Sequence, residues 1–195
     1  MNATFVPVLE LIARAVRETA QAVTKARRTT KHRFLRDIAS LFDIFECVDE
    51  QITEINHNLQ AFIEEERVGM RVHHIHEAGK HIQQFSRTQD DFFDWVERNT
   101  DVRLAMQIFS RETQAALESL RGGHKEAREV ILPALGFVRK ELQAVPSPDP
   151  AKFPSPATTR EVMEQLESLS VEISHAREVI SDFVCANFTI QDMFA

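Results

Sequence analysis

The stretch that decides the fold is FLRDIASLFDIFECVDEQITEINHNLQAF, residues 34–62. Its apolar residues recur at alternating steps of four and three, at Phe34, Ile38, Leu41, Phe45, Val48, Ile52, Ile55, Leu59 and Phe62. On an α-helix this spacing places all of them on one face. No glycine or proline lies between Pro7 and Gly69 to interrupt such a helix. The spacing therefore predicts a helix of about eight turns with a continuous apolar seam.

Two other parts of the chain carry the same pattern. The upstream series is Phe5, Leu9, Ile12, Val16, Thr19, Val23 and Ala26. The downstream series is Val162, Leu166, Leu169, Ile173, Ala176, Ile180 and Phe183. The upstream phase slips by one position near Thr29 and Thr30, where two β-branched residues and a run of like charges weaken a helix. We therefore predict a turn or kink close to Arg27–Lys31, and the pattern leaves open whether residues 4–66 form one helix or two.

The composition excludes several classes of protein. Only five Gly and seven Pro occur in 195 residues, which argues against β-sandwiches, barrels and glycine-rich phosphate loops. A net charge of −7 argues against a generally basic nucleic-acid binder, so no nucleic-acid partner is expected. Fourteen Phe and no Tyr indicate aromatic rings used as apolar filler. We predict an all-α protein, an elongated antiparallel helical bundle with coiled-coil-like heptad seams.

Proline and polar clusters suggest where the helices end. Five of the seven prolines fall within residues 146–156, which predicts an extended connector. We therefore expect a helical bundle over 1–145, a linker over 146–157 and a final helix over 158–195 that packs on the bundle, with Thr158 or Thr159 as its cap. The polar residues 86–91 predict a boundary between two helices. A partial repeat relates residues 111–131 to residues 160–180 at a spacing of 49.

The two cysteines and the first residues bear on localisation. Cys47 and Cys185 lie far apart among apolar residues, which favours buried, reduced thiols over a disulfide. The first residues lack the basic start and apolar run of a secretory signal, and no run approaches the ~18 apolar residues of a membrane span. We therefore expect a cytoplasmic protein without a membrane span.

A histidine-rich segment offers candidate metal ligands. His73, Glu77 and His81 stand four residues apart and share one helix face, a spacing at which imidazole and carboxylate converge on Fe, Mn or Zn. The arrangement resembles that of hemerythrin-like and ferritin-like bundles, which draw further ligands from facing helices. No second His-x3-Glu or Glu-x3-His pair occurs in the sequence. The alternative interpretation is a solvated polar face, and no other cofactor is predicted.

A basic patch is the clearest electrostatic asymmetry of the chain. It comprises Lys25, Arg27, Arg28, Lys31, Arg33 and Arg36, and no acidic residue lies between Glu18 and Asp37. Such a patch can bind phosphate, an anionic lipid or an acidic partner surface. The alternative is a solvated face that pairs with glutamates of a neighbouring helix.

Two Arg-His pairs resemble a nuclease motif. Arg27-x4-His32 and Arg71-x4-His76 are similar to the Arg-x4-His pattern of the helical HEPN ribonucleases. That resemblance implies a small helical bundle that cleaves RNA as a dimer. With 17 Arg and eight His in the chain, about one such match is expected by chance.

The last residues are unusually apolar for a helix end. Phe183, Phe188, Ile190, Met193 and Phe194 fall on more than one face, and Asp192 carries the last charge. Such a segment either packs back into the bundle or docks in a groove of a partner.

These features favour contact between helices over catalysis. No catalytic residue can be assigned, so the first hypothesis is a non-enzymatic interaction protein, an adaptor, assembly factor or regulator that binds a protein partner or forms a homodimer. The alternative is a metal-binding bundle that uses His73, Glu77 and His81, and the further alternative is a small helical ribonuclease of the HEPN type.

Overall fold

The computed structural model describes residues 6–99, 110–113, 116 and 153–193. Its helices are α1 (Val6–Val23), α2 (Arg28–Glu64), α3 (Val68–Asn99), α4 (Pro156–Asn187) and the single turn α5 (Ile190–Met193). The predicted all-α class is confirmed, since these helices pack against one another and no strand occurs in the described ranges. None of these helices combines the length and apolar character that a membrane crossing needs.

The predicted seam of α2 forms the centre of the core. All nine of its apolar residues are buried, and Leu41, Ile55 and Phe62 are 0% exposed. The ring of Phe45 lies 6.2 Å from that of Phe92 on α3. Burying side chains of this size stabilises a fold by roughly 1.5–3 kcal/mol each relative to leaving them exposed. The seam therefore holds α2 at the middle of the bundle.

Helix α3 runs antiparallel to α2 along the length of both. The indole Nε1 of Trp95 donates to the carbonyl of Asp37 at 2.8 Å, near the start of α2. At the other end, the Arg71 guanidinium lies 4.4 Å from the centroid of the Phe62 ring. A three-residue connection, Glu65 to Arg67, joins the two helices. Helices α2 and α3 thus form an αα-hairpin.

Helix α4 also runs antiparallel to α2. Phe153, just before α4, packs its ring edge-on against Phe62 with centroids 5.6 Å apart. Near the middle of both helices the hydroxyl of Ser170 donates to the Asp49 carboxylate. Helix α1 packs mainly on α4, where the Arg17 guanidinium lies 5.9 Å from the Phe183 ring. Helix α2 therefore packs against both α3 and α4, and α1 adds to the bundle mainly through α4.

The question whether residues 4–66 form one helix or two is answered by a break after Val23. The chain turns over Thr24 to Arg27, slightly upstream of the predicted position. Arg27 is extended, with φ −63° and ψ 152°, and its carbonyl accepts from the amide of Thr30 at 2.9 Å. Thr29 and Thr30 thus lie in the first turn of α2, where β-branched residues interrupt no established helix.

Two predicted helix boundaries are wrong. The polar residues 86–91 lie inside α3, because Ser86 and Thr88 donate their hydroxyl protons to carbonyls four residues earlier at 3.0 and 3.2 Å. The cap of α4 is Ser155, whose Oγ accepts from the amide of Thr158 at 3.1 Å. Pro156 then occupies the first turn, where its missing N–H costs nothing. Helix α4 therefore begins two residues before the predicted domain boundary.

The thiols are both free, as predicted, but neither is fully buried, so the prediction of buried thiols is wrong. Cys47 is half-buried and lies 3.5 Å from the Thr88 hydroxyl, whereas Cys185 is exposed. Val184 and Phe188 occupy the inward positions at the end of α4, and this leaves Cys185 on the outer face. Most of the predicted linker and of residues 111–131 lies outside the described residues.

A carboxylate of α1 anchors the short described segment at 110–113. Glu18 accepts from the amide and hydroxyl of Ser110 at 2.8 and 2.9 Å and from the hydroxyl of Thr113 at 2.9 Å. Thr113 is fully buried, and its amide donates to Ser110 Oγ at 3.2 Å. Three hydrogen bonds to one ionised group fix this segment on α1.

Candidate functional site

The predicted basic patch lies around the start of α2, and we call this surface the basic end. It consists of Lys25, Arg27, Arg28, Lys31, Arg33 and Arg36. Lys25 and Arg27 lie in the turn that follows α1, and the other four lie on the first turns of α2. Lys31 is half-buried, and the other five residues are exposed. The turn and the helix together concentrate six positive charges at one end of the bundle.

The structure brings the predicted docking segment onto the basic end. The chain leaves α4 in an extended conformation at Phe188 and forms α5, and we call Phe188–Met193 the strap. Lys31 Nζ lies 3.4 Å from Asp192 Oδ1, and Arg28 Nη2 donates to the carbonyl of Gln191 at 3.2 Å. Two regions that the sequence analysis treated separately thus form one surface.

An aromatic contact fixes the strap beside these polar contacts. The Phe188 ring stacks on the Phe34 ring with centroids 5.5 Å apart and an interplanar angle of 29°. Both residues are buried, so Phe188 packs back into the bundle, as one of the two predicted alternatives requires. Ile190 is 74% exposed, Phe183 is partly buried, and Phe194 lies outside the described residues. The segment therefore both contributes to the core and presents an apolar residue to the outside.

Local hydrogen bonds shape the strap. Asp192 Oδ2 accepts from the amide and the hydroxyl of Thr189 at 3.0 and 2.9 Å, which closes the single turn of α5. The bonds from Thr189 and the charge of Lys31 hold the pKa of the Asp192 carboxyl below its usual value. The carboxylate thus uses one oxygen for the turn and the other for Lys31.

The positive charge of the basic end is neutralised only in small part by described residues. Within the described ranges, the Lys31–Asp192 contact is the one ion pair that involves a residue of the basic end. Arg36 Nη2 contacts His32 Nε2 at 3.4 Å. Burial raises the pKa of the nearby Asp37 carboxyl, while Arg33, Arg36 and Arg98 act to lower it. The predicted alternative is a solvated face that pairs with glutamates of a neighbouring helix: five of the six residues are exposed, but none of the six pairs with a glutamate among the described residues.

The candidate metal ligands lie on α3 but are not drawn together. His81 Nδ1 lies 3.1 Å from the side-chain oxygen of Gln51 on α2, and Glu77 accepts from Lys80 at 2.6 Å. His73 is exposed beside His74. In the described part of the chain no group of three His, Cys, Asp or Glu side chains is arranged to hold a metal ion. The metal-binding alternative stays a prediction that these contacts do not support.

The two Arg-His pairs that resemble the HEPN motif, Arg27–His32 and Arg71–His76, lie in different parts of the bundle. The Arg71 guanidinium contacts the rings of both Phe62 and Phe153, with centroids at 4.4 and 5.0 Å, while His76 is exposed. Arg27 is the exposed cap residue of α2. Cation–π packing gives Arg71 a structural role at the end of the α2–α3 hairpin. The ribonuclease alternative stays a prediction.

Comparisons of the chain with protein-family models, with curated proteins and with solved structures gave no match.

Proposed function

We propose that this protein is a non-enzymatic helical interaction protein whose basic end binds an acidic surface of a protein partner. The observation that carries the proposal is that Asp192 supplies the single described ion pair of this surface. Five of its six basic residues are exposed. A charge cluster of this kind attracts an oppositely charged partner and raises the rate of encounter.

The surroundings of the cluster favour a protein as the partner. Ile190 is 74% exposed. It lies on the strap just before Gln191 and Asp192, the residues that contact Arg28 and Lys31. Protein interfaces combine an apolar centre with a charged rim, and arginine is enriched in them. The aromatic rings beside the basic end, Phe34 of α2 and Phe188 of the strap, are stacked on each other and buried, so in this arrangement they offer no platform for nucleic-acid bases.

The long helices suit a role as a scaffold. Helix α2 spans 37 residues, or about 55 Å at 1.5 Å per residue, with the basic end at its start. A rigid rod of this length holds a docking surface apart from the opposite end of the bundle. The predicted homodimer and the cytoplasmic location stay predictions.

Charge reversal tests this function. Arg27→Glu together with Arg33→Glu changes the charge of the basic end by about four without touching a described core residue. The wild type and this variant are expressed in the native host, and proteins that co-purify are quantified by mass spectrometry. We expect an acidic protein that is retained by the wild type and is at least about tenfold depleted with the variant.

A matched variant supplies the control. Arg87→Glu reverses an exposed charge on α3, away from the basic end. The same acidic protein is expected to co-purify with Arg87→Glu at the wild-type level. Equal recovery with all three proteins, equal loss with both variants, or the lack of any depleted acidic protein would contradict the proposal.

A further inference from the structure

The strap carries the chemistry of a bound peptide on the basic end. It contributes an aromatic ring at Phe188, a backbone carbonyl at Gln191 and a carboxylate at Asp192. These groups meet Phe34, Arg28 and Lys31, which lie at steps of three on the first two turns of α2. Each class of group on the strap is thus matched by a complementary group on α2.

The contacts that hold the strap are few. A stacked ring pair, an ion pair of 3.4 Å and one exposed hydrogen bond connect it to α2 in the described structure. The ion pair is partly open to water, with side-chain exposures of 21% for Lys31 and 16% for Asp192. Ion pairs and hydrogen bonds at such exposure contribute little net stability. The buried ring of Phe188 is therefore the main anchor, and its release removes the ring that stacks on Phe34.

We infer that Phe34, Lys31 and Arg28 form a peptide-binding surface, which the strap occupies within the chain. A partner segment with an aromatic residue four positions before an acidic residue displaces the strap from this surface. The inference rests on the proposed function and deepens it, because it specifies the segment that the acidic partner presents. Charge complementarity selects the acidic residue, and the Phe34 face selects the aromatic residue. The strap is the reference ligand, with Phe188 and Asp192 at this spacing.

Tethering makes the strap a strong competitor. A short tether gives an effective concentration in the millimolar range, so a free peptide binds the wild type only weakly. The apparent affinity of a site that is open only part of the time falls in proportion to the open fraction. A variant with a weakened strap should therefore bind a free copy of the segment more tightly.

The experiment measures this competition in the full-length chain. The probe is a fluorescein-labelled peptide of residues 187–195, NFTIQDMFA, titrated by fluorescence anisotropy against protein up to about 1 mM. The wild type is compared with the double variant Phe188→Ala and Asp192→Asn, whose fold is checked by circular dichroism. We expect the double variant to bind at least about tenfold more tightly.

Two controls identify the surface. Lys31→Glu, added to the double variant, and a probe peptide that carries Asp192→Lys should each lower the affinity at least about fivefold. Equal affinity for the wild type and the double variant, including no binding to either, would overturn the inference. Tighter binding to the double variant that neither control weakens would overturn it as well.

The outcome is separable from that of the proposed function. If the peptide competes as expected but no acidic protein is depleted by Arg27→Glu with Arg33→Glu, the peptide surface stands and the proposed function fails. If an acidic protein is depleted but the peptide does not distinguish the double variant from the wild type, the proposed function stands and the peptide surface fails.

Discussion

Replacing Phe45 by alanine tests whether the α2 seam is the core that holds the bundle together. Phe45 is 2% exposed, and its ring lies 6.2 Å from that of Phe92. Removing a buried phenylalanine ring costs about 3–5 kcal/mol, from lost transfer free energy and from the cavity left behind. Against a total stability of about 5–15 kcal/mol, this is a large fraction. For a chain of this size it corresponds to a fall in Tm of roughly 6–20 °C.

The measurement is urea unfolding followed by circular dichroism at 222 nm, with Phe42→Ala as the matched variant. Phe42 is the same residue type on the same helix but is only partly buried. Because both changes alter helix propensity equally, the difference between them reports burial. We expect Phe42→Ala to cost less than about half as much as Phe45→Ala. Equal losses, or a loss below about 1 kcal/mol for Phe45→Ala, would refute the assignment of the seam as the core.

Three further changes test local features of the fold. Glu18→Ala should lower the free energy of unfolding by about 1.5–3 kcal/mol in urea, because three hydrogen bonds to the carboxylate are lost. Ser155→Ala should lower it by about 1 kcal/mol through loss of the α4 cap, whereas the control Ser168→Ala, at an exposed position of α4, should change it by less than about 0.5 kcal/mol. Hydrogen bonds from Arg67 lower the pKa of the Glu65 carboxyl from 4.5 to about 2, so its contribution to stability is present above pH 4.5 and is lost as the pH falls toward 2. A carbon NMR titration should place the Glu65 midpoint near 2, and a midpoint that Arg67→Gln leaves unchanged would contradict the cause.

Periodicity predicted the parts of the fold that repeat along one helix. All nine residues of the α2 seam are buried because burial of one face follows directly from the spacing. The errors fall at Ser and Thr residues, whose hydroxyls can either cap the start of a helix or donate to a carbonyl within a helix. Serine and threonine cap helices in many proteins. Here the hydroxyls of Ser86 and Thr88 donate to carbonyls of their own helix, and α3 continues through both residues. The sequence does not reveal whether such a residue begins a helix or lies inside one, because tertiary contacts such as that of Thr88 with Cys47 favour one arrangement.

The candidate site was predictable in pieces but not as a whole. Charge clustering identified the basic patch, and apolar content identified the segment that contains Phe188. Their meeting depends on α4 running antiparallel to α2, and no local pattern encodes that direction. The one signal in the sequence was Asp192, the single charged residue of positions 183–195, whose sign is complementary to that of the basic patch. Spacing alone also predicted the His73, Glu77 and His81 group, but sharing a helix face does not supply ligands from a second helix.

Because synthesis proceeds from the N-terminus, the residues of the basic end are made before those of the strap. The described polar and aromatic contacts of α2 with α3 join residues at most 58 positions apart, whereas Arg28 and Gln191 are 163 positions apart. At synthesis rates of about 5–20 residues per second, this interval is roughly 10–30 s. All residues of the α2–α3 hairpin are synthesised before those of the strap. If the proposed peptide-binding surface forms during synthesis, a partner segment that binds then meets no competition from the tethered strap.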